Sequence, residues 1–226
     1  MVKSKPPLLS VSALSLLATL SIAAPSLLAD AAPLSSKTAP EEKTQSALVQ
    51  NISTPDENEQ SQAFVKNIAE RGIGFMENTE LSEEKREQEF RKMLEDSFDM
   101  KTIGRFALGK YWRQATKQQQ KEYLQLFEDM VVNVYSRRFG DYNGEKFVVL
   151  SAREQGKDVI VSSHIITASS TPISVDWRVR KKKNRFVVID IMVEGVSMAL
   201  TQRSDFAAVI QRGGGKVDVL LEHLRK

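Results

Sequence analysis

The hydrophobic period of this chain changes once, at Asn143-Gly144, and that change restricts the fold more than any other feature. Before it, apolar residues recur at three- and four-residue intervals. After it they follow a period of two, in four runs rich in β-branched residues. The expected fold is α+β: N-terminal helices packed on a four-stranded antiparallel meander, with short C-terminal helices.

From Glu59 onward, Phe64, Ile68, Phe75 and Met76 fall on one helical face, with Ala69 and Gly72 between them. Ser82 is suited to cap a second helix: Glu83 and Glu84 complement the positive end of its dipole, and Phe90, Met93, Leu94 and Phe98 form its stripe. Asp99 is suited to cap a short third helix ending near Gly109. Thr116 is suited to cap a fourth, in which Tyr123, Phe127, Met130, Val131, Val134 and Tyr135 recur. Strands are expected over 146–153, 159–168, 173–182 and 185–194, and consecutive strands with short turns imply a meander. Two helices, about Met198 to Gln211 and Lys216 to Leu224, follow on either side of Gly213-Gly214-Gly215.

If each turn closes symmetrically, Val149, His164, Trp177 and Asp190 form one row across the sheet. Phe147, Ile166, Val175 and Met192 form the next row, and Ser151, Ser162, Val179 and Val188 lie on the other side of the first, so this face is largely apolar. The opposite face is expected to mix Val148, Leu150, Val161, Ile165, Val187, Ile189 and Ile191 with Ser174, Asp176, Arg178 and Arg180. Both faces then carry more aliphatic surface than solvent needs.

The N-terminus reads as an address. Lys3 and Lys5 precede an uncharged apolar or small-residue stretch from Val11 to Ala24, followed by Pro25 and Ala29-Asp30-Ala31, the pattern of a secretory signal peptide covering 1–31. The alternative is an uncleaved anchor. A span needs roughly 20 predominantly apolar residues, and Pro6, Pro7, Pro25 and several serines interrupt this one. Residues 32–57, rich in Ser, Thr, Pro and Glu, read as a flexible leader to a domain over 58–226.

Several chemistries are excluded. There is no cysteine, which excludes thiolate sites, and with only two histidines, His164 and His223, a His-based metal cage is nearly excluded too; no cofactor is expected. A formal charge of +3, from 32 basic and 29 acidic residues, sets up no strong field for nucleic acid. Gly213-Gly214-Gly215-Lys216 lacks the spacing of a phosphate loop and reads as a helix-breaking turn. An acid–base enzyme would have to draw on His164, Asp190 and Tyr135. In the expected register His164 and Asp190 lie two strand spacings, ~9.6 Å, apart, which is too far for a dyad.

The segments Phe98-Asp99-Met100 to Arg105, Leu108-Gly109-Lys110-Tyr111-Trp112-Arg113, Gln119 to Phe127, and Asp190-Ile191-Met192-Val193-Glu194-Gly195-Val196-Ser197 are similar in order and spacing to MlaC, a family of periplasmic phospholipid carriers also described as the toluene-tolerance auxiliary component of an ABC transporter. The resemblance runs from about Phe64 to Leu224. It departs from the family in Trp177, where Tyr is common, and in the unusually basic third hairpin. It implies a sheet and helices enclosing a hydrophobic cavity for acyl chains. It further implies a monomer that exchanges phospholipid between an outer-membrane lipoprotein–porin complex and an inner-membrane ABC transporter with a mammalian-cell-entry-type subunit. The resemblance implies no reaction on the lipid.

Such a carrier must enclose its cargo, because about 30 methylenes at ~0.8 kcal/mol each would otherwise meet water. Candidate lining residues are Phe75, Met93, Phe106, Tyr111, Trp112, Tyr135, Val149, Ile166, Val175, Trp177, Met192, Val196 and Met198. The hairpin Arg178, Arg180, Lys181, Lys182, Lys183 and Arg185 is the candidate for steering a headgroup or an acidic partner; a solvated turn guarded by lysines is the other reading of it. A hopanoid carrier of the same fold and a scaffold filled by its own side chains are the remaining alternatives.

Overall fold

The computed structural model describes residues 56–167 and 171–226. The expected signal peptide and all but the last two residues of the expected leader lie outside these. Six helices, α1 (Glu57–Glu77), α2 (Glu83–Ser97), α3 (Met100–Leu108), α4 (Lys117–Ser136), α5 (Met198–Arg212) and α6 (Val217–Leu224), flank β1 (Lys146–Gln155), β2 (Asp158–Ile166), β3 (Ile173–Lys182), β4 (Arg185–Val193) and β5 (Val196–Ser197). The sheet is an antiparallel meander in the order β1-β2-β3-β4-β5. The fifth strand, absent from the sequence expectation, is a two-residue return after Glu194-Gly195, both at positive φ.

The helix starts follow local chemistry. Ser82 Oγ accepts from Lys85 N at 3.2 Å, and Asp99 Oδ1 from Thr102 N at 3.1 Å. Thr116 and Gln119 form a reciprocal capping box. Ser197 caps α5 through Leu200 N at 3.0 Å.

The core has three connected parts. Helices α3 to α6 bury Leu108, Tyr111, Tyr123, Phe127, Phe206 and Ile210 among themselves. Helices α1, α2 and α4 gather Ile68, Phe75, Phe90, Met93, Leu94 and Val132 against Val188. Val65 of α1, which the sequence reading passed over, is fully buried against Val159, Val161 and Val179. Phe64 and Trp177 belong to both of the last two groups. The helical layer is stitched to the β4 edge where Phe98 bridges Val188 and Asp99 N donates to Val188 O at 2.9 Å.

The register corrects the expectation at three points. Val149 pairs with Ser163 but Ser151 with Ser162, so Leu150 is a bulge and everything before it slips by one. Ile189 is a second bulge: Val179 pairs with Val188 as expected, but Arg178 pairs with Asp190 and Trp177 with Ile191. Between β2 and β3 the shift is three residues, Trp177 pairing with Val161 and His164 with Ser174. An odd shift reverses every side chain of a strand. The inner face is therefore Phe147, Val149, Val161, Ser163, Val175, Trp177, Val179, Val188, Ile191 and Val193. His164, Ile166, Asp190 and Met192 lie on the other face.

Candidate functional site

Helix α1 packs on β1 and β2 and α2 on β4, so the two helices meet above β3. Trp177 forms the floor of this seam. Its Nε1 donates to Ser163 Oγ at 3.0 Å, and that hydroxyl donates to Val175 O at 2.8 Å, so the only polar atom of the indole is satisfied within the sheet. The ring is left to apolar neighbours: Phe147 meets it edge-on at 5.9 Å, and Ile191 stands directly cross-strand. Ile68, Phe75 and Met93 close the seam from the helical side.

At one end the seam reaches the surface through aromatic rings. Phe139 lies 5.3 Å from both Phe75 and Phe90, and Tyr135, 45% exposed, lies 6.4 Å from Phe90. Val134 beside it is also exposed, as is the bulged Leu150. This fits an apolar ligand better than a polar reaction, since satisfied polar atoms and rings line the seam.

The candidate lining residues separate accordingly. Phe75, Met93, Val149, Val175 and Trp177 share the seam or its sheet floor, with Tyr135 at its aromatic end. Tyr111 and Trp112 belong instead to the core of α3 to α6. Phe106 is 43% exposed on the outside of α3. Ile166 and Met192 face away because of the odd shift and the Ile189 bulge. Val196, 52% exposed, and Met198 stand at β5 and the start of α5. The sequence reading of the lining missed Phe64, Ile68, Phe139, Phe147 and Ile191. Phe64 and Ile68 were legible as the buried face of α1, whereas Phe139, in a single 3-10 turn, gave no periodic signal.

The basic hairpin is largely consumed internally. Asp158, its side chain 3% exposed, accepts from Arg178 Nε at 2.9 Å and from Arg180 Nε at 2.6 Å. Burial disfavours its charge, but the Arg180 and Arg178 guanidinium groups hold the carboxyl below its ordinary pKa. Lys182 pairs with Asp99, whose carboxyl is held low against burial by Lys182 and Thr102. Lys181 lies 3.9 Å from Glu57 and over the Phe186 ring, and Arg185 donates to Asp96 O at 3.3 Å. Lys183 occupies the turn at φ 54°. Of the six cations, Arg178 and Arg180 tie β3 to β2, while Lys181, Lys182 and Arg185 clamp the hairpin to α1, to the α3 cap and to the end of α2.

A different positive surface is assembled from residues distant in sequence. Thr102, Arg105, Phe106, Gly109, Lys110, Arg113 and Arg203 line a shallow cleft of about 500 Å³. Arg203 sits over Phe106 at 5.3 Å, and Arg105 over Trp112 at 5.7 Å.

The acid–base set is not brought together. His164 is cross-strand from Ser174, and Asp190 from Arg178, on either side of β3. Asp190 is occupied in accepting from Ser197 Oγ at 2.6 Å and Ala199 N at 3.1 Å. Among the described residues, no group of three or more His, Asp or Glu is placed to hold a metal, and no helix is long and apolar enough to cross a membrane.

Comparison with known proteins places this geometry in context. The family model described as MlaC protein matches residues 66–226. The intermembrane phospholipid transport system binding protein MlaC of Haemophilus influenzae is 22% identical over 133 residues, 57% of this chain and 61% of that protein. The chain thus spans about three fifths of that curated relative's length. A phospholipid-binding protein from Ralstonia solanacearum, solved in complex with a phospholipid, superposes with a TM-score of 0.63 at 25% identity, over 73% of this chain and 94% of that one.

Proposed function

Because the chain belongs to the MlaC family, we propose that it is a phospholipid-binding transport protein whose acyl-chain site is the seam over Trp177. The observation that carries this is a sheet face lined by Phe147, Val149, Val175, Trp177 and Ile191 beneath two helices that bring Phe75 and Met93 to it, with Phe139 and Tyr135 at the end nearest the surface. Phe75, Met93 and Val175 are each under 9% exposed, so the seam is closed and cargo enters only as the helices part from the sheet. The protein does no covalent chemistry on the lipid. Exported to the periplasm by a signal peptide over 1–31, it passes phospholipid between an outer-membrane lipoprotein–porin complex and an inner-membrane ABC transporter, maintaining outer-membrane lipid asymmetry. The Ralstonia likeness supports the class of cargo.

The test is native mass spectrometry and solvent extraction of the exported protein purified without detergent. One two-chain phospholipid per protein is expected. A ring lipid would instead make it a hopanoid carrier, and a stable empty protein would sink the transport reading. Position within the seam is tested by contrast: Val149→Trp should cut lipid occupancy severalfold, whereas Met192→Trp, on the far face, should leave it intact. Equal loss from both would put the site elsewhere.

A further inference from the structure

The cleft between α3, the 3-10 turn that follows it and α5 combines two properties. Arg105, Lys110, Arg113 and Arg203 line it with no carboxylate among the lining residues, and none of the four makes an ion pair within the described residues. This contrasts with the hairpin, where Arg178 and Arg180 are paired with Asp158 and Lys182 with Asp99. The cleft also exposes apolar surface, Phe106 being 43% exposed beneath Arg203, and Leu200, outside the lining but one helical turn before Arg203 on α5, is 53% exposed. Cation–π contacts hold Arg203 over Phe106, Arg105 over Trp112 and Lys110 over Tyr111, but no carboxylate balances the four charges, so a partner that supplies negative charge and apolar depth gains from both.

We propose that this face docks the protein on an anionic phospholipid bilayer. Headgroup phosphates would meet the four cations while Phe106 and Leu200 enter the acyl boundary. A bilayer surface suits the cleft because it is shallow and all four cations are exposed, so laterally mobile headgroups can meet each separately. An acidic polypeptide would have to place apolar side chains at matching positions, whereas a bilayer presents an apolar layer beneath its charged surface everywhere. The inference is independent of the cargo carried in the seam: docking is read from vesicles and cargo from extraction, so either can fail alone.

The experiment is sedimentation of the exported protein with vesicles of phosphatidylcholine containing 30% phosphatidylglycerol, against pure phosphatidylcholine. Binding is expected only to the anionic vesicles and should be lost in 0.5 M salt. The combined variant R105Q/K110Q/R113Q/R203Q should weaken partitioning by about a hundredfold or more, with extracted cargo unchanged. R105Q/K110Q, two exposed positions, should weaken it by more than tenfold without touching the Arg203 contacts, and K183Q at the hairpin turn should have little effect. Equal binding to both vesicle types, undiminished binding by R105Q/K110Q, or capture of poly-glutamate in place of vesicles would each overturn the proposal.

Discussion

Asp158→Ala distinguishes a basic hairpin that holds the fold from one that holds a ligand. Asp158 is nearly inaccessible and accepts three hydrogen bonds, one from Arg178 and two from Arg180. Removing one partner of a buried ion pair costs about 3–5 kcal/mol. Here the stranded guanidinium groups are 39% and 21% exposed and recover part of their hydration, which lowers the expected loss to ~2–3 kcal/mol. For a domain of this size that is a fall in Tm of ~5–10 °C. The pH dependence has a definite sign. The folded carboxyl lies below its unfolded value of ~3.9, so its contribution is full above that pH and is lost as pH falls through the folded pKa. Urea unfolding between pH 6 and 3 should therefore show a steeper acid loss in the natural protein than in Asp158→Ala. Lipid occupancy, measured by extraction at 20 °C, should be unchanged. A Tm shift under 2 °C, or loss of lipid from R178Q/R180Q without a change in Tm, would refute the clamp and return the hairpin to headgroup binding.

Two further outcomes follow from single positions. Gly109 sits at φ 58°, ψ −129°, and a Cβ there would lie 2.8 Å from Arg203 Nε, so Gly109→Ala should cost ~2 kcal/mol, seen as a lower Tm. Tyr123 is fully buried and donates to Gly104 O at 2.9 Å. Burial raises its pKa above the unfolded value, so its contribution is complete below pH ~10 and is lost as pH rises beyond that. Tyr123→Phe should be ~1 kcal/mol less stable at pH 7 and lose less stability from pH 9 to 11. A parallel decline in the two proteins would contradict this.

The elements were legible because their signals are local. Ser82, Asp99, Thr116 and Ser197 cap the helices through neighbours three residues on. The strand runs are bounded by turn residues such as Gln155-Gly156-Lys157 and Lys183-Asn184. Five candidate seam residues were likewise readable, because burial on a periodic face is written in one element at a time. The family resemblance, resting on the segment from Asp190 to Ser197 and the one around Gly109, needed no coordinates either.

Which face each residue takes was decided only by tertiary structure. A bulge at Leu150 or Ile189 changes register by one residue to fit the twist of the sheet beneath α1 and α2, and nothing in the local sequence marks either position. Charge behaved in the same way. Six cations in eight positions looked like a free patch, yet Lys182 meets Asp99 across 83 residues and Arg180 meets Asp158 across 22. The unpaired patch joins Arg105 to Arg203, brought together by the packing of α3 on α5. Composition and periodicity determine which residues must be buried or capped; pairing across the chain determines which charges remain for a partner, because Coulomb and hydrogen-bond partners are chosen by distance in space.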